Sequence, residues 1–195
     1  MKSNVLVSVF LAIMIFLVFT GCDMGNGNII RQERVVGEFT SVALDGIGNV
    51  NIYPKENKRV VVTTDSNLQD IVSTKVVGDT LYITQRSGLF NANELTIDVY
   101  LPELTRISLN GTGNFSVKNG NATELTLLIS GTGNINAQNF QVKNINITHS
   151  GVGNARIWAT DSLHGTLSGV GNIRYRGNPT VTVSRIGVGN VIPLR

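Results

Sequence analysis

The chain has one cysteine, two histidines and one tryptophan among its 195 residues. A single cysteine excludes an internal disulfide. Two histidines, His149 and His164, are too few for a zinc site, which wants three or four ligands, and no metal or cofactor is expected. Acidic residues run out early: between Thr105 and Arg195 only Glu124 and Asp161 remain, at different phases of the local repeat. Glycosidic or acid–base chemistry needs paired carboxylates, so that half is a poor start for an enzyme of acidic polysaccharide. Ser150 and Ser168 precede corners, but a serine nucleophile needs an adjacent base. No segment shows the apolar 3.6-residue period of a helix, apart from one run at the N-terminus.

That run, Val5 to Phe19, follows Met1-Lys2-Ser3-Asn4 and ends in Phe19-Thr20-Gly21-Cys22. It is short for a spanning helix of ~20 residues and suits the apolar region of a signal peptide. Small residues before a cysteine let a peptidase approach the backbone. The segment resembles the lipobox of bacterial lipoproteins, with Phe19 where leucine is usual. The resemblance implies cleavage before Cys22 and lipid on its sulfur, with acylation of the freed amine giving more than one chain to hold the membrane. It places the protein in the bacterial cell envelope. Residues 1–21 are then a signal peptide, 22–34 a lipid-anchored tether rich in glycine and asparagine, and 35–195 one domain. Loss of Lys2 leaves 15 basic and 13 acidic side chains, a balance that gives no reason to expect nucleic acid.

What the chain has in quantity is glycine. Gly-x-Gly-Asn occurs six times, starting at Gly46, Gly111, Gly131, Gly151, Gly169 and Gly187, and the last five are spaced 20, 20, 18 and 18 residues. Apolar columns flank it. Val42, Ile107, Leu127, Ile147 and Val183 stand four residues before the first glycine, and Leu44, Leu109, Ile129 and Leu167 two before. Val50, Phe115, Ile135, Ala155, Ile173 and Val191 follow the asparagine. Alternation on both sides of a glycine corner reads as strand, turn, strand. Repeats of this length predict coils of a parallel β-helix, an all-β solenoid. Stacked coils would set Asn114, Asn134, Asn154, Asn172 and Asn190 in an amide ladder. The corner lacks the third glycine and the helix of a phosphate loop, and the aspartates of calcium-binding repeats. Between Val50 and Glu103 the motif is absent. Candidate strands there are Val60–Thr64, Ser73–Val77, Thr80–Gln85 and Leu95–Leu101, with a Gly78-Asp79 hairpin turn, read as a less regular N-terminal β region capping the coils.

The six corners, together with Phe39-Thr40-Ser41-Val42-Ala43-Leu44-Asp45-Gly46-Ile47-Gly48-Asn49-Val50, resemble the GIN-domain family of "putative auto-transporter adhesin" heads over roughly Val35 to Val191. The resemblance implies a right-handed single-stranded parallel β-helix and carries over no catalytic motif. His149 interrupts an apolar column and reads as a hydrogen-bonded core residue. Beyond Ala155 the basic residues cluster: Arg156, Arg174 and Arg176 point outward, with Trp158 nearby, and form a candidate contact for a polyanion or glycan. Three functions follow as expectations. The first is a membrane-anchored, non-catalytic module presenting a binding or adhesion surface. The second is an envelope polysaccharide enzyme, and the third a scaffold that self-associates into a homo-oligomer through its C-terminal end.

Overall fold

A computed structural model describes residues 23–86 and 90–194. The signal peptide and Cys22 lie outside them. In chain order the strands are β1 (Asp23–Met24), β2 (Ile29–Arg34), β3 (Ser41–Leu44), β4 (Ile47–Pro54), β5 (Arg59–Asp65), β6 (Val72–Val77), β7 (Thr80–Gln85), β8 (Phe90–Asn91), β9 (Leu95–Leu101), β10 (Arg106–Leu109), β11 (Thr112–Val117), β12 (Gly120–Ile129), β13 (Thr132–His149), β14 (Ala155–Leu167), β15 (Ile173–Arg176), β16 (Thr180–Arg185) and β17 (Val191–Pro193). A 3₁₀ turn, Ser66–Ile71, follows β5. Among the described residues no helix is long and apolar enough to cross a membrane.

The fold is all-β, but it corrects the right-handed single-stranded parallel β-helix with a less regular N-terminal region. Apart from the small β1–β8 pair, the strands form one mixed sheet. Its path runs β2-β5-β9-β4-β11-β13, then returns β12-β10-β3-β7-β6, wrapping into a nearly closed, barrel-like shape. The long β13 makes the return possible, because its first part pairs β11 and its later part pairs β12. The finding that overturns the expectation is the antiparallel pairing of β2 with β5, β5 with β9, and β6 with β7, all within that same sheet. The apolar alternation that marks a strand is the same for either direction of pairing, so these segments carried no sign of their direction. Two of the four motif-free strands predicted from sequence, Thr80–Gln85 and Leu95–Leu101, coincide with β7 and β9, and Gly78 turns the β6–β7 hairpin at φ 63°.

Where the motif recurs, pairing is parallel and in register. Gly48, Gly113 and Gly133 are partners across β4, β11 and β13, and so are Asn49, Asn114 and Asn134. The change of repeat length from 20 to 18 residues is absorbed in the β13–β14 ladder by shifts between Ala137 and Gln141 and between Val142 and Asn144. The apolar columns line one continuous core that includes Leu44, Leu109, Phe115, Leu127 and Phe140. Burying each such side chain stabilises the fold by roughly 1.5–3 kcal/mol. His149 is fully buried in it; its Nε2 lies 2.9 Å from the Gly153 carbonyl oxygen, while Nδ1 has no partner.

The corners are the tightest part of the fold. A Cβ on Gly133, at φ 144°, would sit 1.6 Å from the Gly113 carbonyl oxygen, and one on Gly131 would sit 2.0 Å from that of Gly111. Both objections, strain and collision, apply at Gly133.

The N-terminal stretch also departs from expectation. Ile29–Arg34, assigned from sequence to a tether, forms β2 and pairs with β5. The residues before it dock on a buried carboxylate: Asp65 accepts bonds from the Gly27 amide at 2.7 Å and from the Asn93 amide and side chain at 2.8 Å each. Asn67 Nδ2 donates to the Met24 carbonyl at 2.8 Å. Burial alone would raise the Asp65 pKa, but the bonds from Asn93 and Gly27 outweigh it and hold the carboxyl below its ordinary range.

Two outcomes are expected. Gly133→Ala lowers stability in urea unfolding by at least about 3 kcal/mol, while Gly37→Ala, whose new Cβ meets nothing closer than Val76 at 3.9 Å, changes it by less than about 0.5 kcal/mol. Because the Asp65 pKa is lowered in the folded chain, its contribution is complete above the unfolded carboxyl pKa and disappears as pH falls through the folded value. The protection factors of amides 24–28, taken relative to the intrinsic exchange rate at each pH, should therefore fall on acidification, and Asp65→Asn should show that low protection already at neutral pH.

Candidate functional site

In each repeat the residues after the corner alternate between core and solvent. The fifth and seventh residues after the first glycine face outward. Parallel register turns the fifth residues into a column on the wall formed by β9, β4, β11, β13, β14 and β15; the seventh residues lie beside it, with a break at β13, where the shift after Ala137 sets Gln141 opposite Trp158. A third column, the corner asparagines, borders them.

The asparagine column is bonded rung to rung. Asn114 Nδ2 donates to Asn49 Oδ1 at 2.9 Å. Asn134 donates to Asn114 Oδ1 from its amide at 3.2 Å and from Nδ2 at 3.0 Å. Asn154 bonds Asn134 in the same way, Asn172 bonds Asn154, and the Asn190 amide reaches Asn172 Oδ1 at 3.0 Å. Each amide oxygen serves the next rung, which leaves the outer amide edges to solvent.

The fifth column runs Asn51, Ser116, Asn136, Arg156, Arg174. Arg156 and Arg174 are register partners on neighbouring parallel strands, about 4.8 Å apart along the stack. Like charges placed opposite each other repel, by up to about 1 kcal/mol in water. The Arg174 guanidinium reaches only Asn154 Oδ1, at 3.5 Å. Among the described residues the salt bridges are Arg31–Asp98 and Lys58–Glu38, so no carboxylate within reach neutralises the pair. In the seventh column Arg176 lies over the Trp158 ring, 4.2 Å from its centroid. The contact takes one face of the indole and orients the guanidinium; such pairs contribute about 0.5–1 kcal/mol when exposed. The structure thus brings Arg156, Trp158, Arg174 and Arg176 together on one patch.

The same wall holds a second group that sequence reasoning missed. Tyr100 and Tyr53, register partners on β9 and β4, stack with centroids 4.4 Å apart and planes 10° from parallel. Arg59 covers the outer face of the pair, 4.2 Å from the Tyr100 centroid, and Lys118 Nζ lies 5.9 Å from that of Tyr53. Beside them Asp98 is buried and held by Arg31 at 3.3 Å and Asn51 Nδ2 at 3.0 Å. Burial, then the charge of Asp98, raises the Tyr53 pKa, so its hydroxyl stays protonated. Tyr53, Lys118, Trp158 and Arg176 share the seventh column after the corner, a signal present in the sequence. Arg59 and Tyr100 come from the motif-free strands and had none.

A concavity of about 890 Å³ opens elsewhere, between the β9–β10 connection and the middle of β12 and β13. Its rim mixes Asp79, Glu103 and Glu124 with Lys55, Arg106 and Lys143. Asp161 does not line it; its carboxylate accepts a bond from the Thr160 hydroxyl at 2.7 Å. His164 is exposed on β14. Among the described residues no three histidine, cysteine or acidic side chains gather as a metal site.

Residues 38–119 and 117–179 match the family model described as "Putative auto-transporter adhesin, head GIN domain". The chain belongs to that family. Solved structures share the fold of this GIN domain. A "putative adhesin" from Bacteroides fragilis is 20% identical and superposes with a TM-score of 0.61, covering 88% of this chain and 99% of its own. A "putative lipid binding protein" from Parabacteroides distasonis is 18% identical, with a TM-score of 0.53 and coverage of 90% and 100%. At such identities the likeness is one of fold. Comparison with curated proteins finds no match.

In this GIN domain the asparagine ladder stiffens the wall on which the cations stand. Asn134→Ala removes its bonds to both neighbouring rungs and should cost about 1–2 kcal/mol, read as a lower denaturation midpoint.

Proposed function

We propose that the chain is an envelope lipoprotein, anchored through lipid on Cys22, whose GIN domain is a non-catalytic adhesion module for an acidic envelope polymer or glycan. The observation that carries this reading is the Arg156–Arg174 register pair with Arg176 over Trp158. Repulsion between two unneutralised arginines weakens the free protein, and a bound anion relieves it. Guanidinium groups bind carboxylate and phosphate oxygens through paired N–H donors, so the patch suits such groups on a polymer. The family's description as adhesin heads agrees with a surface that binds rather than transforms. The charge is displayed on an outward wall, whereas the carboxylates of Asp79, Glu103 and Glu124 sit around the groove among cations. The N-terminal lipobox-like sequence supports the anchor, which would set the domain at the surface of a membrane.

Two measurements test the two halves separately. Cys22→Ala should move the protein from the membrane fraction to the soluble one; unchanged retention would remove the anchor from the proposal. Arg156→Ala with Arg174→Ala should weaken binding to immobilised polygalacturonate about tenfold or more in low salt, with a shallower salt dependence. Equal binding by wild type and variant would show that the patch is not the site.

A further inference from the structure

The cationic patch and the Tyr100–Tyr53 stack stand on the same outward wall, at opposite ends of it. Arg59 is on β5 and Arg176 on β15, and the strands between them are β9, β4, β11, β13 and β14. Six strand spacings at about 4.8 Å put the two ends at most roughly 29 Å apart, measured along the sheet. Each end is built alike: aromatic rings standing between or beside cations that have no salt-bridge partner among the described residues. Between them β13 offers Asn136 and Gln138, neutral amides. The acid nearest the middle of the wall, Asp98, is buried and already neutralised by Arg31.

We infer, building on the proposed function, that the two ends form one track and that its ligand is an acidic polysaccharide lying across the strands, along the stack. A single phosphate or sugar acid could use one end only. A chain with acid groups at intervals engages Arg59 and Lys118 at one end and Arg156, Arg174 and Arg176 at the other, while its hydroxyls meet the amides of Asn51, Asn136 and Gln138. The aromatic rings hold the cations in place rather than stack on sugar: Tyr100 and Tyr53 occupy each other's faces, and Arg176 covers Trp158. A lipid surface fits less well, because the columns at the fifth and seventh positions present amides and cations, while the exposed apolar residues Ile47, Val152, Val170 and Val188 lie at the corners, beyond the asparagine ladder. Glu56 lines the small hollow beside Tyr53 and Lys118 without a salt bridge to Lys118, and marks where an acidic chain leaves the track.

The test is length dependence. The full chain in neutral detergent is titrated with galacturonate oligomers shorter and longer than the span, and with polygalacturonate. Affinity should rise about a hundredfold or more once the oligomer reaches both ends. Arg59→Ala with Lys118→Ala should abolish that gain and leave short oligomers unaffected, while Glu56→Gln should strengthen only the long ones. Short oligomers that bind through Arg156 and Arg174 with no gain from length would overturn the track and leave the patch standing. Failure of every galacturonate probe to bind would overturn both. Full displacement of polygalacturonate by vesicles of anionic lipid, or by duplex DNA at equal charge, would overturn the polysaccharide assignment.

Discussion

Everything in this fold depends on how closely one glycine corner passes over the next. The carbonyl of each corner occupies the place where a Cβ on the corner above would stand, as at Gly113 beneath Gly133 and Gly153 beneath Gly171. Such an approach permits only glycine, and it permits only one register. A slip by one residue would bring a side chain onto a carbonyl and turn the buried columns outward. The corner therefore sets the register for every strand that flanks it.

In-register parallel stacking has an electrostatic consequence. It puts like on like, rung after rung. For asparagine this is favourable, because an amide both donates and accepts, and the column closes into a hydrogen-bonded ladder. For arginine it is unfavourable, because identical charges meet with nothing between them. The same geometry thus builds a hydrogen-bonded ladder from one column and a stack of unneutralised like charge from its neighbour. In the next column Trp158 fixes where Arg176 points, while Arg174 turns toward Asn154.

How much of this was legible follows from which forces leave a pattern. The corners and the buried columns were readable because burial alternates with sterics along each repeat. Arg156, Arg174 and Arg176 were readable because they fall within that repeat. Pairing direction was not: Val60–Thr64 is a run of β-branched residues and Leu95–Leu101 alternates, as strands of either kind do, and nothing in them distinguishes an antiparallel partner from a parallel one. Ile29–Arg34 escaped for another reason. As an outer strand it buries almost nothing, so it shows no apolar period and passes for a tether. Tyr100 and Arg59 escaped because β9 and β5 carry no motif: parallel pairing with β4 carries Tyr100 to the wall, and antiparallel pairing with β9 carries Arg59 there.

The docked N-terminus bears on how the proposed anchor and the proposed site relate. Were residues 23–34 a free tether, lipid at Cys22 would leave the domain's orientation open. Asp65 and Asn67 instead hold Met24 to Gly27 beside β5 and the start of β9. The chain thus enters the domain at the β5–β9 level of the stack. From β9 to β15 there are five strand spacings, or roughly 24 Å. That exceeds the Debye length of about 8 Å at physiological ionic strength, so charge at the entry point is largely screened at the arginine cluster. A lipid on Cys22 would join the membrane to the domain at one end of the cationic wall, while Arg156, Arg174 and Arg176 stand toward the other. The arginines would then face whatever lies along the domain rather than compete with the charges at its anchor. An extended polymer could meet the whole wall only if it ran along the stack, across the strands.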